Sequence, residues 1–415
     1  MHLASLNITE LFLHLWRGSI ECDKNDDRST WDWAVLQGDV WKAHGESVAN
    51  ATPYLPGSFD RPPRNPCEKI SSGYKAWEFL LYFYALGPAL FRGVLPDIYW
   101  RHYCKLVAAI RMLHQRSITR AQVVLAHTYL TEFIREFEEL YYQRRLARLH
   151  FCRQSIHLLW HLAQEVVRVG PPAYYTQWTM ERTIGNLGEE IKQPLKPYAN
   201  LSERAVRRYA LLRARDRSPQ LITGPAAVAI RTYLQEHDSD VDHWRPMLTR
   251  WARLALATGQ NARSAWKECQ KPLEKLRTSR NVKLTLNGRT QFAEVQYFFL
   301  APIAAEHRPL ALVSLYSPPD ADLLQRSHNT VYSCEYQGQD SLIVINARDI
   351  HSVVAIVPEA VTALAHSGNP NARSRFFVAE KLGLEVADLS GVVELIAEED
   401  HEDNEDNGPI QLDIT

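Results

Sequence analysis

The spacing of apolar residues changes character near residue 282, and that change limits the folds open to the chain. From Ala76 to Gly170 apolar side chains recur every three or four positions, as in helices with one buried face. "AWEFLLYFYALGPALF" is nearly all apolar and reads as a buried helix broken at Gly87-Pro88. "PDIYWRHYCKLVAAIRMLHQ" opens at Pro96, a favourable first-turn residue, and "ITRAQVVLAHTYLTEFIREFEELYY" predicts a longer helix. "IHLLWHLAQEVVRVG" predicts a helix that ends at Gly170, a C-cap residue. After residue 282 come "VKLTL", "FAEVQYFFL", "PLALVSLY", "TVYSCEY", "SLIVIN" and "SVVAIV", short runs of β-branched and aromatic residues separated by turn-forming ones. Helices first and strands afterwards describe an α+β chain, with a largely helical N-terminal half and a small all-β barrel or sandwich.

The remaining segments fit around this division. Residues 2–16 read as an amphipathic helix with Leu3, Leu6, Leu11, Leu15 and Trp16 on one face. "TPYLPGSFDRPPRNPCEK" (52–69) carries five prolines, so it should be irregular and laid across a surface. "LSERAVRRYALLRARDR" and, after a break near Pro219, "WRPMLTRWARLALATG" extend the helical pattern. The expected organisation is a helical unit (1–216), a helical connector (217–281), a β-rich unit (282–395) and an acidic, disordered tail (396–415).

Formal net charge is −1, but the sum hides segregation. Arg101 to Arg215 carries about ten more Lys and Arg than Asp and Glu, whereas the tail holds "AEEDHEDNED" at 397–406. A basic middle suits an anionic partner, with nucleic acid the commonest; a solvated helical surface gives the same pattern. Cys22, Cys67, Cys104, Cys152, Cys269 and Cys334 are too scattered for a disulfide framework or a zinc ribbon and suit a reducing compartment. The N-terminus lacks a basic region and places Glu10 inside its apolar stretch, unlike a signal peptide. With no long apolar run, no membrane span is expected, and a nuclear or cytosolic location follows.

The chain has no Walker loop, no G-x-G-x-x-G after a strand, no G-x-S-x-G and no C-x-x-C. Two constellations remain. His157 and His161 stand at i and i+4 with Glu165 one turn on, which places all three on one helix face; this is half a zinc site or a pair of structural histidines. Glu181, in "QWTMERTIGNLGEEIKQP", is either a helix-start carboxylate or a catalytic one. Gly185 and Gly188 each cost about 1 kcal/mol of helix stability relative to Ala, so the helix ends early or something approaches its backbone closely.

The run "IHLLWHLAQEVVRVGPPAYYTQWTMERTIGNLGEEIKQPLKPYANLSERAVRRYALL", Ile156 to Leu212, joins a His-x-x-x-His helix, Gly-Pro, an aromatic stretch, Met-Glu-Arg and Gly to a basic helix. In this order it resembles the C-terminal catalytic segment of CACTA-type (En/Spm-like) DNA transposases. "HLASLNITELFLHLWRG" and "FAEVQYFF…LALVSLYSPPD" look like the fungal branch of that family. The resemblance implies an RNase H-like core in which two Asp and one Glu hold Mg²⁺ or Mn²⁺ for cut-and-paste transposition, with a helical insertion before the Glu. Glu181 matches the final Glu, and "TELFLHLWRG" puts Glu10 nearest the second Asp. His157 and His161 match a histidine pair that completes a Zn²⁺ site with an upstream C-x-x-C. The first Asp and that C-x-x-C belong to family segments upstream of residue 1.

The expected protein is therefore the C-terminal portion of a transposase, catalytically incomplete by itself. It would act in the nucleus, binding transposon-end DNA, full-length transposase or itself. Arg204, Arg207, Arg208, Arg213 and Arg215 fall on adjoining faces of one predicted helix and are the expected phosphate contacts. The rival expectations are a protein-interaction module acting through the β-rich unit and a non-functional relic whose apolar helix "EFLLYFYALG" lacks a partner.

Overall fold

The computed structural model describes residues 2–177, 196–199, 202, 217–237, 247–273, 276–303, 306–362 and 375–386. It is α+β: among the described residues no strand precedes Arg217. The helical half holds α1 (Thr9–Trp16), α2 (Gly38–Ala51), α3 (Ala76–Leu80), α4 (Asp97–Leu113), α5 (Arg120–Phe137), α6 (Gln154–Leu159) and α7 (Leu162–Val169). No described helix is long and apolar enough to cross a membrane.

Three π-helical segments, Leu3–Ile8, Leu81–Leu86 and Glu138–Tyr142, flank α1, α3 and α5. They surround one aromatic cluster. Trp16 stacks on Phe83 at 5.8 Å, meets Phe91 and Tyr103 edge-on, and donates its indole N–H to the Tyr141 hydroxyl at 3.0 Å. The break expected at Gly87-Pro88 does not occur: Gly87 has helical φ −54 and ψ −44, and a further turn follows at Gly87–Leu90. Pro88 has no N–H to give the Tyr84 carbonyl one turn back. Arg111 of α4 supplies one instead, Nε to Tyr84 O at 2.8 Å and Nη2 to Ala85 O at 3.2 Å, while the Tyr103 hydroxyl donates to Phe83 O. The apolar helix has its partners: Phe79 to Leu86 are all buried, against the exposed helix expected of a relic.

The charged loop 21–33 is fixed by an ion pair inside the protein. Arg148 is fully buried and contacts Asp26 through Nε and Nη2 at 2.7 and 2.8 Å, with further bonds to Thr30 and Gln143. The hydrogen bond from Arg148 holds the Asp26 carboxyl below the usual range, against the opposing effect of its burial.

The second half contains β1 (Arg217–Leu221), α8 (Gly224–Glu236), β2 (Met247–Trp251), β3 (Arg253–Ala255), β4 (Asn261–Arg263), β5 (Asn281–Leu286), β6 (Arg289–Ile303) and β7 (Glu306–Leu315). After α9 (Ala321–Arg326) come β8 (Tyr332–Glu335), β9 (Leu342–Asn346), β10 (Ile350–Val353), β11 (Ala355–Pro358) and β12 (Arg375–Ala379). The six runs read as strands are strands, the last divided into β10 and β11. The helical reading of "WRPMLTRWARLALATG" is corrected: Leu248 is buried between exposed neighbours, and Arg250 and Trp251 pair with Phe299 and Phe298. Pairing with β6 outweighs the helix preference of Met, Leu, Arg and Ala.

The expected barrel is also corrected, because the strands form antiparallel sheets that do not close. The long β6 takes β5 along its first half and β2 along its second, with β7 on the remaining side. The sheet therefore branches, and β1, β9 and β10 end its paths. A bulge at Gln296 interrupts the β6–β7 register. The β5–β6 hairpin turns on Asn287-Gly288, both at positive φ, as a two-residue hairpin turn requires.

The helices and strands share a core. Leu323, Val331, Ala355, Val357, Phe377 and Ala379 belong to the same apolar cluster as Trp16 and Phe83. Polar contacts cross the same boundary. Arg111 donates to Thr330 O at 2.9 Å, Arg326 pairs with Asp97 at 2.6 Å, and Val386 N reaches the Gln115 side chain at 2.7 Å. The proline-rich loop 52–69 does lie against other structure. Arg277 donates to Leu55 O, Pro56 O and Asp60 O, and Lys381 bonds Ser58 O and the Asp60 carboxylate.

Candidate functional site

His157 and His161 are the expected site residues that the structure brings together. The single helix read over 156–170 is two, and the correction lies between the histidines. Trp160 N and His161 N bond back three residues, to His157 O and Leu158 O, so α6 ends and α7 restarts. The rings still meet, with Nε2 to Nε2 at 3.3 Å. Two nitrogens at about 2.0–2.1 Å from one tetrahedral zinc ion lie about 3.3–3.4 Å apart, so this separation matches a zinc bite as well as a ring-to-ring hydrogen bond. Glu165 does not join them; it pairs with Arg168 at 2.8 Å. Among the described residues no three His, Cys, Asp or Glu side chains converge on a metal position. The described residues thus supply two ligands where a structural zinc site takes four, and they do not fit a complete one.

Glu10 sits exposed on α1 and pairs with His14 at 3.6 Å. Burial lowers the His14 pKa, Glu10 opposes this, and Arg17 and Arg153 add to the lowering. Glu10 belongs to no described carboxylate cluster that could hold Mg²⁺ or Mn²⁺. Glu181, Arg204, Arg207, Arg208, Arg213 and Arg215 lie outside the described residues.

Part of the positive charge of the middle segment is structural. Arg111 and Arg148 are buried, while Arg144, Arg145 and Arg153 are exposed on the stretch leading to the histidine corner and Arg168 is exposed beyond it. Sequence reasoning also missed a cleft of about 600 Å³ between α4, the end of α5 and the residue His328. Lys105 there bridges Glu132, at 2.8 Å, and Glu136. Burial lowers the His328 pKa to about 4, helped by Lys105 and Arg101, and its φ is +51. Lys105 is thus already engaged by carboxylates, and the arrangement reads as a seam between the halves. Its members come from α4, α5 and the turn after α9, which no local motif connects.

Compared with known proteins, the chain matches no family model, no curated protein and no solved structure.

Proposed function

We propose that the chain is a transposon-derived protein that binds DNA and does not cut it by itself. The observation that carries this reading is the run from Ile156 to Leu212. There a histidine pair with a zinc-like nitrogen separation is followed by Met-Glu-Arg and a basic segment, the order found in CACTA-type transposases. By the resemblance, the helical stretch 76–155 would correspond to the family's insertion, and an RNase H-like core remains part of the proposal. In such enzymes the carboxylate-held Mg²⁺ or Mn²⁺ ions activate the attacking oxygen and stabilise the leaving one. Among the described residues Glu10 belongs to no group of three or more His, Cys, Asp or Glu that could hold a metal ion. The nucleus is the compartment where this role would be exercised, with full-length transposase or a second copy as protein partners.

The test is affinity for duplex DNA carrying a transposon end, measured against salt with the whole chain. Five phosphate contacts from Arg204, Arg207, Arg208, Arg213 and Arg215 predict a log–log slope of about −4 to −5. Replacing all five by Gln should flatten the slope towards zero. Binding that is indifferent to salt, or unchanged in the five-fold variant, would reject the reading. A pull-down of residues 282–395 alone would be uninformative on the rival interaction-module idea, because that segment shares its core with the helices.

A further inference from the structure

A second cleft, about 300 Å³, opens on the sheet and is built from elements far apart in the chain. Arg250 of β2, Trp266 of the short helix Ala265–Glu268, Tyr297 of β6 and Tyr336 just beyond β8 form its walls, over an apolar floor that includes Leu312 and Leu342. Tyr297 follows the bulge at Gln296, the kind of irregularity that re-aims a side chain.

The Arg250 guanidinium lies 4.1 Å from the Trp266 ring centroid and 5.6 Å from that of Tyr297, and Nη2 donates to the Gln220 side chain at 2.9 Å. No described carboxylate pairs with it. Glu294, which accepts from Tyr336 and Gln296, is already held by Arg280 at 2.6 Å. Two donors are left over: among the described residues, Arg250 Nε and the Tyr297 hydroxyl are buried without a hydrogen-bond partner, and Tyr297 as a whole is only 6% exposed. A buried donor with no acceptor is costly, so two of them lining one cleft call for an acceptor from outside.

We propose that this cleft binds a small aromatic monocarboxylate. One unpaired guanidinium balances one negative charge, and its fork suits a carboxylate. The Tyr297 hydroxyl supplies a further donor, while the aromatic walls and apolar floor suit a ring. The volume admits a single ring with a short acid chain and sits at the small end of ligand pockets. A phosphate monoester would carry up to two charges and more acceptor oxygens than these donors serve.

The test uses the whole chain with 4-phenylbutyrate and its uncharged isostere 4-phenylbutyramide, titrated by calorimetry. The acid should saturate one site and bind at least about tenfold more tightly than the amide, the worth of one charge-assisted bond. Tyr297→Phe removes a single oxygen and should weaken the acid about three- to tenfold and the amide, whose carbonyl accepts only a neutral bond from the same hydroxyl, by less. Arg250→Gln should abolish the preference for the acid, provided its melting curve stays cooperative; Tyr297→Phe serves if it does not. Equal affinity for acid and amide, binding untouched by Tyr297→Phe, or no saturable binding of the acid would each overturn the proposal.

Discussion

Gly87 shows how one residue fixes a backbone path. A Cβ there would lie 2.3 Å from the Tyr103 hydroxyl and 3.0 Å from Tyr82 O, so the close approach that lets Tyr103 cap Phe83 O depends on the missing side chain. Gly87→Ala should destabilise the protein by about 2–4 kcal/mol, from overpacking and one lost hydrogen bond. The chemical-denaturation midpoint would show it. Adding Tyr103→Phe should recover part of the loss by removing the oxygen that the new methyl meets. A cost near zero for Gly87→Ala would mean that the helix pair separates freely at this point.

At the scale of elements, the π segment Leu81–Leu86 survives because Arg111 and Tyr103 serve its carbonyls. Arg111→Met would leave Tyr84 O, Ala85 O and Thr330 O without this donor, at a cost of about 3 kcal/mol or more, read from the same denaturation curves. Arg111→Lys, which keeps the charge but not the planar fork, should fall between. These devices also mark the limit of what the sequence discloses. The amphipathic helices and the strands from β5 to β9 follow from period and composition, since their apolar residues decide which face is buried. A π turn adds one residue per turn and leaves the composition unchanged, so nothing in "LYFYAL" announces it. "MLTRW" looked helical because its partner lies some fifty residues on, in β6, and "RFFVA" of β12 is too short to stand out before β8 and β11 flank it. The histidine pair was legible through its i, i+4 spacing. The Arg250 cleft was not, because its walls come from strands and turns with no common motif.

For the molecule as a whole, buried histidines set the response to acid. Burial lowers His44 and His102 to about 3 and His114 to about 4, so all three stay neutral in the folded protein through mildly acidic pH. His102 donates Nε2–H to Phe133 O and leaves Nδ1 unpartnered; His114 donates Nδ1–H to Ile110 O. Unfolded histidine takes up its proton near pH 6.5. Above that pH the lowered values cost nothing. Below it the unfolded chain gains protons that the folded one refuses, at about 1.4 kcal/mol per pH unit for each histidine. Three such groups would remove about 6 kcal/mol by pH 5, comparable to the whole stability of many proteins. Acid unfolding should therefore set in between pH 6 and 4, earlier than carboxylate protonation alone would cause. Because helices and sheet share a core, circular dichroism and tryptophan fluorescence should report one coincident transition. A chain that stays folded to pH 4, or melts in two separate steps, would contradict this account.

The clamp on the proline-rich loop also has a consequence in time. Ser58 leaves the ribosome early, while Lys381, which holds its carbonyl, is made 323 residues later. Arg277 follows Leu55 by 222 residues and begins the closure. At about 5–20 residues per second, synthesis alone separates Ser58 from its last partner by tens of seconds. The helices can assemble in that interval and Glu78 can already hold Arg61 and Arg64 of the loop, but the Ser58 carbonyl waits for Lys381 until the final strand has been translated, and this is when a chaperone or a protease would find that part of the loop.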